Sequence, residues 1–275
     1  MLLGSQLRRL REANGISREA AGFVIRASGS KISRLELGRV GFKERDVIDL
    51  LKLYGVTDPD QLAALIDLAR EANARGWWHK YSDIVPSWFQ SYVGLEAAAS
   101  LIRTYEVQFI PGLLQTEDYA RAVALLGHAG APAEEVERRV RLRMERQEML
   151  TRPGAPRLWA VMDEAALRRP IGGPDVMRDQ LKALIEMTAL PNASLQVMPF
   201  EFGGHAGAGG AFTVLRFRDE DLPDIVFVEQ LTSAIYLDKP EDVDQYVAAM
   251  ERLCVDAASP DESVEMLNEI LEEAS

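Results

Sequence analysis

Helix-length stretches closed by glycine and opened by serine punctuate the first 55 residues, and this spacing constrains what they can build. Leu3 to Asn14 puts Leu3, Leu7 and Leu10 on one helical face, with Leu2 extending the stripe, and Gly15 ends it. Ser17 is placed to cap a second helix, Arg18–Ile25. Ser28 is placed to cap a third, Gly29–Leu37, which Gly38 ends. Lys43–Tyr54 carries Val47, Leu50, Leu51 and Tyr54 at helical spacing and stops at Gly55. Pro59–Ala74 opens with Pro59 and Asp60, both favoured in a first turn. Five short helices with tight connections predict a compact all-helical domain over residues 1–76, with its core at 3–55.

The net charge of −12 over 275 residues argues at first against a polyanion partner. Its distribution reverses the argument. Residues 1–57 hold eleven Lys/Arg against six Asp/Glu, a balance of +5, while the rest hold 20 against 37, a balance of −17. A basic head on an acidic body suits a polyanion held at one end. The acidic body should also limit spreading along non-specific DNA. Cys254 is the sole cysteine, which excludes an intrachain disulfide and a cysteine-rich metal site. No apolar run approaches the ~18 residues of a membrane span, and Met1-Leu2-Leu3 runs straight into Arg8, Arg9 and Arg11 without the pattern of a secretory leader. A cytoplasmic location, without membrane contact, is the expectation.

A reading helix in the major groove needs a bracing helix packed closely behind it, apolar residues facing inward and polar or basic ones outward. Ala20, Ala21 and Gly22 supply small residues for the brace, and Val24 and Ile25 lead into the turn. Ile32 and Leu35 point inward, leaving Ser30, Lys31, Ser33 and Arg34 outward. Ser28 leaves a helix N-terminus near the DNA, where phosphate is favoured. A carboxylate at Glu36 would be repelled by DNA and is expected to pair internally with Arg8 or Arg11.

Residues 3–55, with Ser30-Lys31-Ile32-Ser33-Arg34-Leu35-Glu36-Leu37-Gly38-Arg39, resemble the Cro/repressor-type (XRE) helix-turn-helix family. The resemblance implies base reading by Gly29, Ser30 and Arg34, with Lys31 beside them, and phosphate contact by Arg18 where the family carries Gln. Ser28, Ser33, Arg39 and Lys43 complete the expected DNA-binding set. Gly29 has no side chain, so one usual contact is missing. Arg26 stands where the family's turn commonly has glycine. Either the turn is wider here or Arg26 faces a phosphate.

Beyond Gly76 the texture changes. Helices are expected at Pro86–Glu106, Thr116–Leu126, Ala133–Leu150, Val176–Ala189, Val243–Ala257 and Pro260–Glu272, with short helical pieces up to Arg168. Strands are expected at Val107–Ile110, Arg157–Met162, Ser194–Met198, Phe212–Phe217, Ile225–Val228 and Ala234–Leu237. Residues 77–275 therefore read as an α+β domain with a mixed or antiparallel sheet and C-terminal helices. Tyr92-Val93-Gly94-Leu95-Glu96, Ile110-Pro111-Gly112-Leu113-Leu114-Gln115-Thr116, Arg143-Met144-Glu145-Arg146-Gln147, Gln196-Val197-Met198-Pro199-Phe200 and Val228-Glu229 resemble the domain that follows this kind of helix-turn-helix in actinobacterial, especially Streptomyces, regulators of the WhiJ-like group. That resemblance implies an antitoxin-like arrangement with a small partner protein encoded nearby. It implies no particular ligand.

His79, His128 and His205 are scattered, and the motifs of serine hydrolases and zinc peptidases are missing, so no catalytic residue, cofactor or metal is expected. Gly203-Gly204-His205-Ala206-Gly207-Ala208-Gly209-Gly210 is the strongest local oddity. It reads as a mobile loop between strands or as a lid over a ligand, with Gly203, Gly204, His205, Gly207, Gly209 and Gly210 as its working residues. The cluster Trp77–Tyr81 with Trp88 and Phe89 reads as packing or as a relay. The Arg–Glu-rich stretch 134–148 reads as a solvated, salt-bridged face. The tail from Asp256, with seven carboxylates and no basic residue, carries Val264, Leu267 and Leu271 as a docking stripe. Two functions remain. One is a sequence-specific, homodimeric transcriptional regulator of double-stranded DNA, reading the major groove with residues 29–37 and controlled through its body by a partner protein or small ligand. The other is a DNA-tethered enzyme using the Gly203–Gly210 loop.

Overall fold

Leu2–Ala13 (α1), Arg18–Val24 (α2), Gly29–Glu36 (α3), Glu44–Leu53 (α4) and Pro59–Asn73 (α5) follow the expected helices to within about a residue at each end. The computed structural model describes residues 2–38, 40–73, 76–218 and 222–273. The end expected at Ala74 lies outside them. Gly15, Gly38 and Gly55 all take the left-handed conformation that closes a helix at low cost. Leu3, Leu7, Ile32, Leu35, Leu50, Leu51 and Tyr54 meet in one apolar core. At Gly4 α1 crosses the end of α3 so closely that a Cβ would lie 2.5 Å from the Leu35 carbonyl oxygen.

The chain divides into two compact units, Met1–Trp77 with Asp219–Pro223, and Trp78–Arg218 with Asp224–Ser275. The larger contains Ser87–Ala98 (α6), Ala99–Glu106 (β1), Glu117–Gly127 (α7), Ala133–Gln147 (α8), Arg157–Asp163 (β2), Glu164–Arg168 (α9) and Pro174–Met187 (α10). Ala193–Met198 (β3), Phe212–Phe217 (β4), Ile225–Glu229 (β5), Ala234–Leu237 (β6), Pro240–Asp256 (α11) and Pro260–Glu273 (α12) follow. The sheet runs β3-β2-β1-β4-β5-β6. Its β1/β2 and β2/β3 pairs are parallel and the other three antiparallel, so it is mixed. The protein is thus an all-α helix-turn-helix region followed by an α+β domain. Among the described residues no helix is long and apolar enough to cross a membrane.

Alternation along the strands divides the sheet's two faces. Tyr105, Val161, Met198, Phe212, Val214 and Val226 pack under α11, through Val243, Met250 and Leu253. Phe227 faces the other way and packs, tilted, on Tyr92 of α6, with ring centroids 4.2 Å apart. The acidic tail is docked on the sheet edge, where the Val197 amide donates to Ser263 Oγ at 2.9 Å. Its buried stripe is Ser263, Leu267 and Ile270, slightly rotated from the expected one. Of the aromatic cluster, Tyr81 packs against Leu142 of α8, with Trp78 and Phe89 beside it.

The expected helix Pro86–Glu106 is corrected. It stops at Ala98, and Ala99–Glu106 is β1, the strand joining the parallel and antiparallel halves. Glu96-Ala97-Ala98-Ala99 continues helical propensity across the boundary, but partners on both sides claim Ile102, Thr104 and Tyr105 for the sheet. Val107–Ile110, expected as a strand, is irregular.

Candidate nucleic-acid interface

The interface is built from α2, the turn after it and α3. Ser17 caps α2 by accepting the Ala20 amide at 3.1 Å, and Ser28 caps α3 by accepting the Lys31 amide at 3.3 Å. Between them the turn is tight. A Cβ at Gly22 would sit 2.6 Å from the Ala27 carbonyl oxygen, so only glycine lets the chain double back here. Ala21 is fully buried while Ala20 is exposed, which narrows the expected small-residue contact to Ala21 and Gly22. The wider turn is overturned: Arg26 adopts φ 53°, the left-handed conformation that glycine usually supplies. That strain costs about 1 kcal/mol, and it leaves the Arg26 side chain exposed at the tip.

Ile32 and Leu35 are buried in the head core, which fixes the rotation of α3. Ser28, Ser30 and Arg34 are exposed, and Gly29, Lys31 and Ser33 half-buried. Arg34 makes no ion pair among the described residues, so its guanidinium stands out from α3 with its donors uncommitted. Lys31 is different: its Nζ bonds Asp46 Oδ2 of α4 at 3.0 Å. Lys43, at the N-cap of α4, is exposed. Arg39 lies outside the described residues. A Cβ at Gly29 would lie 2.8 Å from Glu19 Oε1, the end of an exposed side chain that can move aside.

Glu36, at the end of α3, is buried and turned inward, as the sequence implies. Arg11 of α1 grips it with Nε on Oε1 and Nη2 on Oε2 at 3.1 Å. Arg18 Nε adds a bond to Oε2 at 3.0 Å. The hydrogen bond to Glu36 holds the Arg11 guanidinium above its ordinary range. Burial, with Glu36 next, pushes the Tyr54 hydroxyl up to about 12. Arg18, expected on a phosphate, is therefore anchored to α3 through one nitrogen, with its side chain 45 % exposed.

In the body, the Gly203–Gly210 segment is not an open loop throughout. The Gly207 amide donates to His205 Nδ1 at 3.1 Å, which leaves the proton on Nε2, 3.3 Å from the Tyr105 hydroxyl and 3.6 Å from Asp163 Oδ2. A Cβ at Gly207 would fall 2.3 Å from the Tyr105 ring, so His205 and Gly207 are seated on the sheet. At Gly203, Gly204, Gly209 and Gly210 a Cβ would meet open space.

Helix α8 also departs from expectation. Its outer face is salt-bridged, as in Arg138–Asp83 and Arg139–Glu135. Arg146, however, is buried in a two-bond pair with Glu96, both at 2.8 Å, and Arg143 Nη1 donates to Gln115 Oε1 at 2.8 Å. Sequence reasoning missed both. The signal was present: Arg143 and Arg146 continue the buried Val136–Val140 stripe at helical spacing.

An exposed arginine on a helix braced from behind and capped by serine defines the class: a helix-turn-helix protein, the architecture of a DNA-binding regulator. Residues 2–65 match the family model of a helix-turn-helix domain. Residues 89–269, most of the chain, match that of a domain of unknown function, DUF5753, and the chain belongs to this family. No curated protein and no solved structure matches it.

Proposed function

We propose that the protein is a sequence-specific transcriptional regulator that inserts α3 into the major groove of double-stranded DNA. The observation that carries this is Arg34, exposed and without an ion pair among the described residues, on a helix whose other face is locked by Ile32, Leu35 and Glu36. Ser30 lies one turn earlier on the same face, and Lys43 and Arg18 are exposed for phosphates. Arg34→Ala should weaken the specific site by about 1–3 kcal/mol and relax base preference. Lys43→Ala should weaken all sequences alike and lower the salt slope by about one. Titrations of specific and random duplexes over a salt series separate the two. Equal losses on both duplexes for Arg34→Ala would remove α3 as the reader.

The body is read as a binding domain that controls the head through a small partner protein or ligand, not as an enzyme. His205, the most reactive group of the glycine-rich segment, is committed to Gly207, Tyr105 and Asp163. DNA affinity of the full chain, measured with and without a co-expressed small neighbour protein, tests this control. The working form is a cytoplasmic homodimer, because one such module touches too few base pairs and two half-sites stand about 34 Å apart. Sedimentation at micromolar concentration should give a dimer with or without DNA, and a monomer in both would end that reading.

A further inference from the structure

The two edges of the sheet differ. At the β3 edge the outward backbone groups are satisfied: the Val197 amide donates to Ser263 Oγ and the Val197 carbonyl accepts the Ala258 amide, both at 2.9 Å. At the opposite edge β6 pairs with β5 alone. The Gln230 amide donates to the Ser233 carbonyl at 2.8 Å, which makes these two a hydrogen-bonded pair. Alternation from there, in the register Val228↔Ile235 and Val226↔Leu237, turns the amides and carbonyls of Ile235 and Leu237 towards β5. Those of Ala234 and Tyr236 point away from it, and no described backbone group takes them.

An open row of donors and acceptors invites another strand, and natural sheets guard against it with charges, proline or a bulge on the edge strand. Strand β6 carries none of these. From Gln230 to Leu237 there is no charged residue and no proline, within a stretch, residues 58–275, whose charge balance is −17. The β5–β6 register is unbroken. Ile235 is 50 % exposed, and Leu231, at the hairpin tip, 99 %.

We propose that the free edge of β6 docks a second copy of this chain, β6 against β6, joining two six-stranded sheets into one. Continuing a sheet across a two-fold axis makes the two strands antiparallel and the contact isologous. With Ala234 of each copy opposite Tyr236 of the other, the outward groups exchange four hydrogen bonds. That register seats Ile235 on the axis, facing its own copy in the close, non-hydrogen-bonded pair. Only an uncharged residue suits a place that must meet itself, because like charges directly opposite repel. A foreign strand drawn by the acidic body would be basic, and this strip offers it no carboxylate. The inference rests on the homodimer proposed above and assigns the surface that forms it.

Sedimentation of the full-length protein at micromolar concentration, without DNA, tests it on the parent and three variants. Ala234→Pro removes an outward amide and leaves the β5 ladder intact, so it should shift the protein to monomer. Ile235→Lys and Ile235→Glu should each raise the dimer dissociation constant about tenfold or more, through lost apolar burial and facing like charges. An equal mixture of these two should recover the dimer, since lysine then faces glutamate, a rescue that a misfolded variant could not give. A monomeric parent would overturn this assignment together with the homodimer. A dimeric parent whose variants all stay dimeric would overturn the assignment alone and leave the homodimer standing. Two monomeric variants whose mixture stays monomeric would show that Ile235 does not meet its own copy, and would likewise overturn it.

Discussion

Glu36→Gln is expected to destabilise the N-terminal unit by about 3–5 kcal/mol, the penalty for stripping one partner from a buried ion pair. The Arg11 and Glu36 side chains are only 7 % and 2 % exposed, so water cannot replace the lost charge. Glutamine keeps the size of the side chain but can accept at one oxygen only, where Arg11 and Arg18 use both carboxylate oxygens. A loss of this size is a large part of the stability of an ordinary domain. Urea unfolding followed by circular dichroism should show an early loss of helix, and DNA binding should fall with it. Replacing Arg11 and Glu36 together by leucine should recover most of the stability, because the uncompensated charge is then gone. Glu36→Gln within about 0.5 kcal/mol of the parent would mean that the pair does not hold α1 to α3.

Gly4→Ala is the second large effect, and its sign is the informative part. Alanine improves helix propensity by about 1 kcal/mol, so α1 in isolation would gain. In the folded unit the new methyl would lie 2.5 Å from the Leu35 carbonyl oxygen and 2.6 Å from that of Glu36. Both are backbone atoms at the end of α3 and cannot swing aside as a side chain can. Overpacking of this kind costs about 1–3 kcal/mol, occasionally more, so a net loss is expected and α3 must shift off α1. Affinity for a specific DNA site should therefore fall further than thermal stability alone explains. A raised melting temperature with unchanged DNA affinity would show that α1 does not approach α3 this closely.

The head was legible because its signals are local. Serine caps, glycine stops and the Ile32–Leu35 spacing act within a turn or two, and the observed helices follow them closely. Arg26 was half legible: its unusual place in the turn could be seen, but only the backbone decides between a wider turn and a left-handed residue. Strand β1 was missed because alanines carry helix propensity to its first residue, while what makes it a strand lies more than fifty residues away, in β2 and β4. Arg143 and Arg146 illustrate the same limit. Their Arg–Glu surroundings look like a solvated face, and only the fold brings Glu96 and Gln115 to meet them. His205 and Gly207 stood out by composition, yet their seating on Tyr105 could not be read from it.

Selection of random duplexes by the full-length protein, repeated with Arg34→Ala, bears most directly on the central claim. The parent should enrich a defined sequence whose two half-sites lie about one helical turn apart, and Arg34→Ala should lose preference at one position in each half-site while still retaining duplexes at low salt. Enrichment of no sequence by the parent, or the same sequence enriched equally by Arg34→Ala, would contradict major-groove reading by α3.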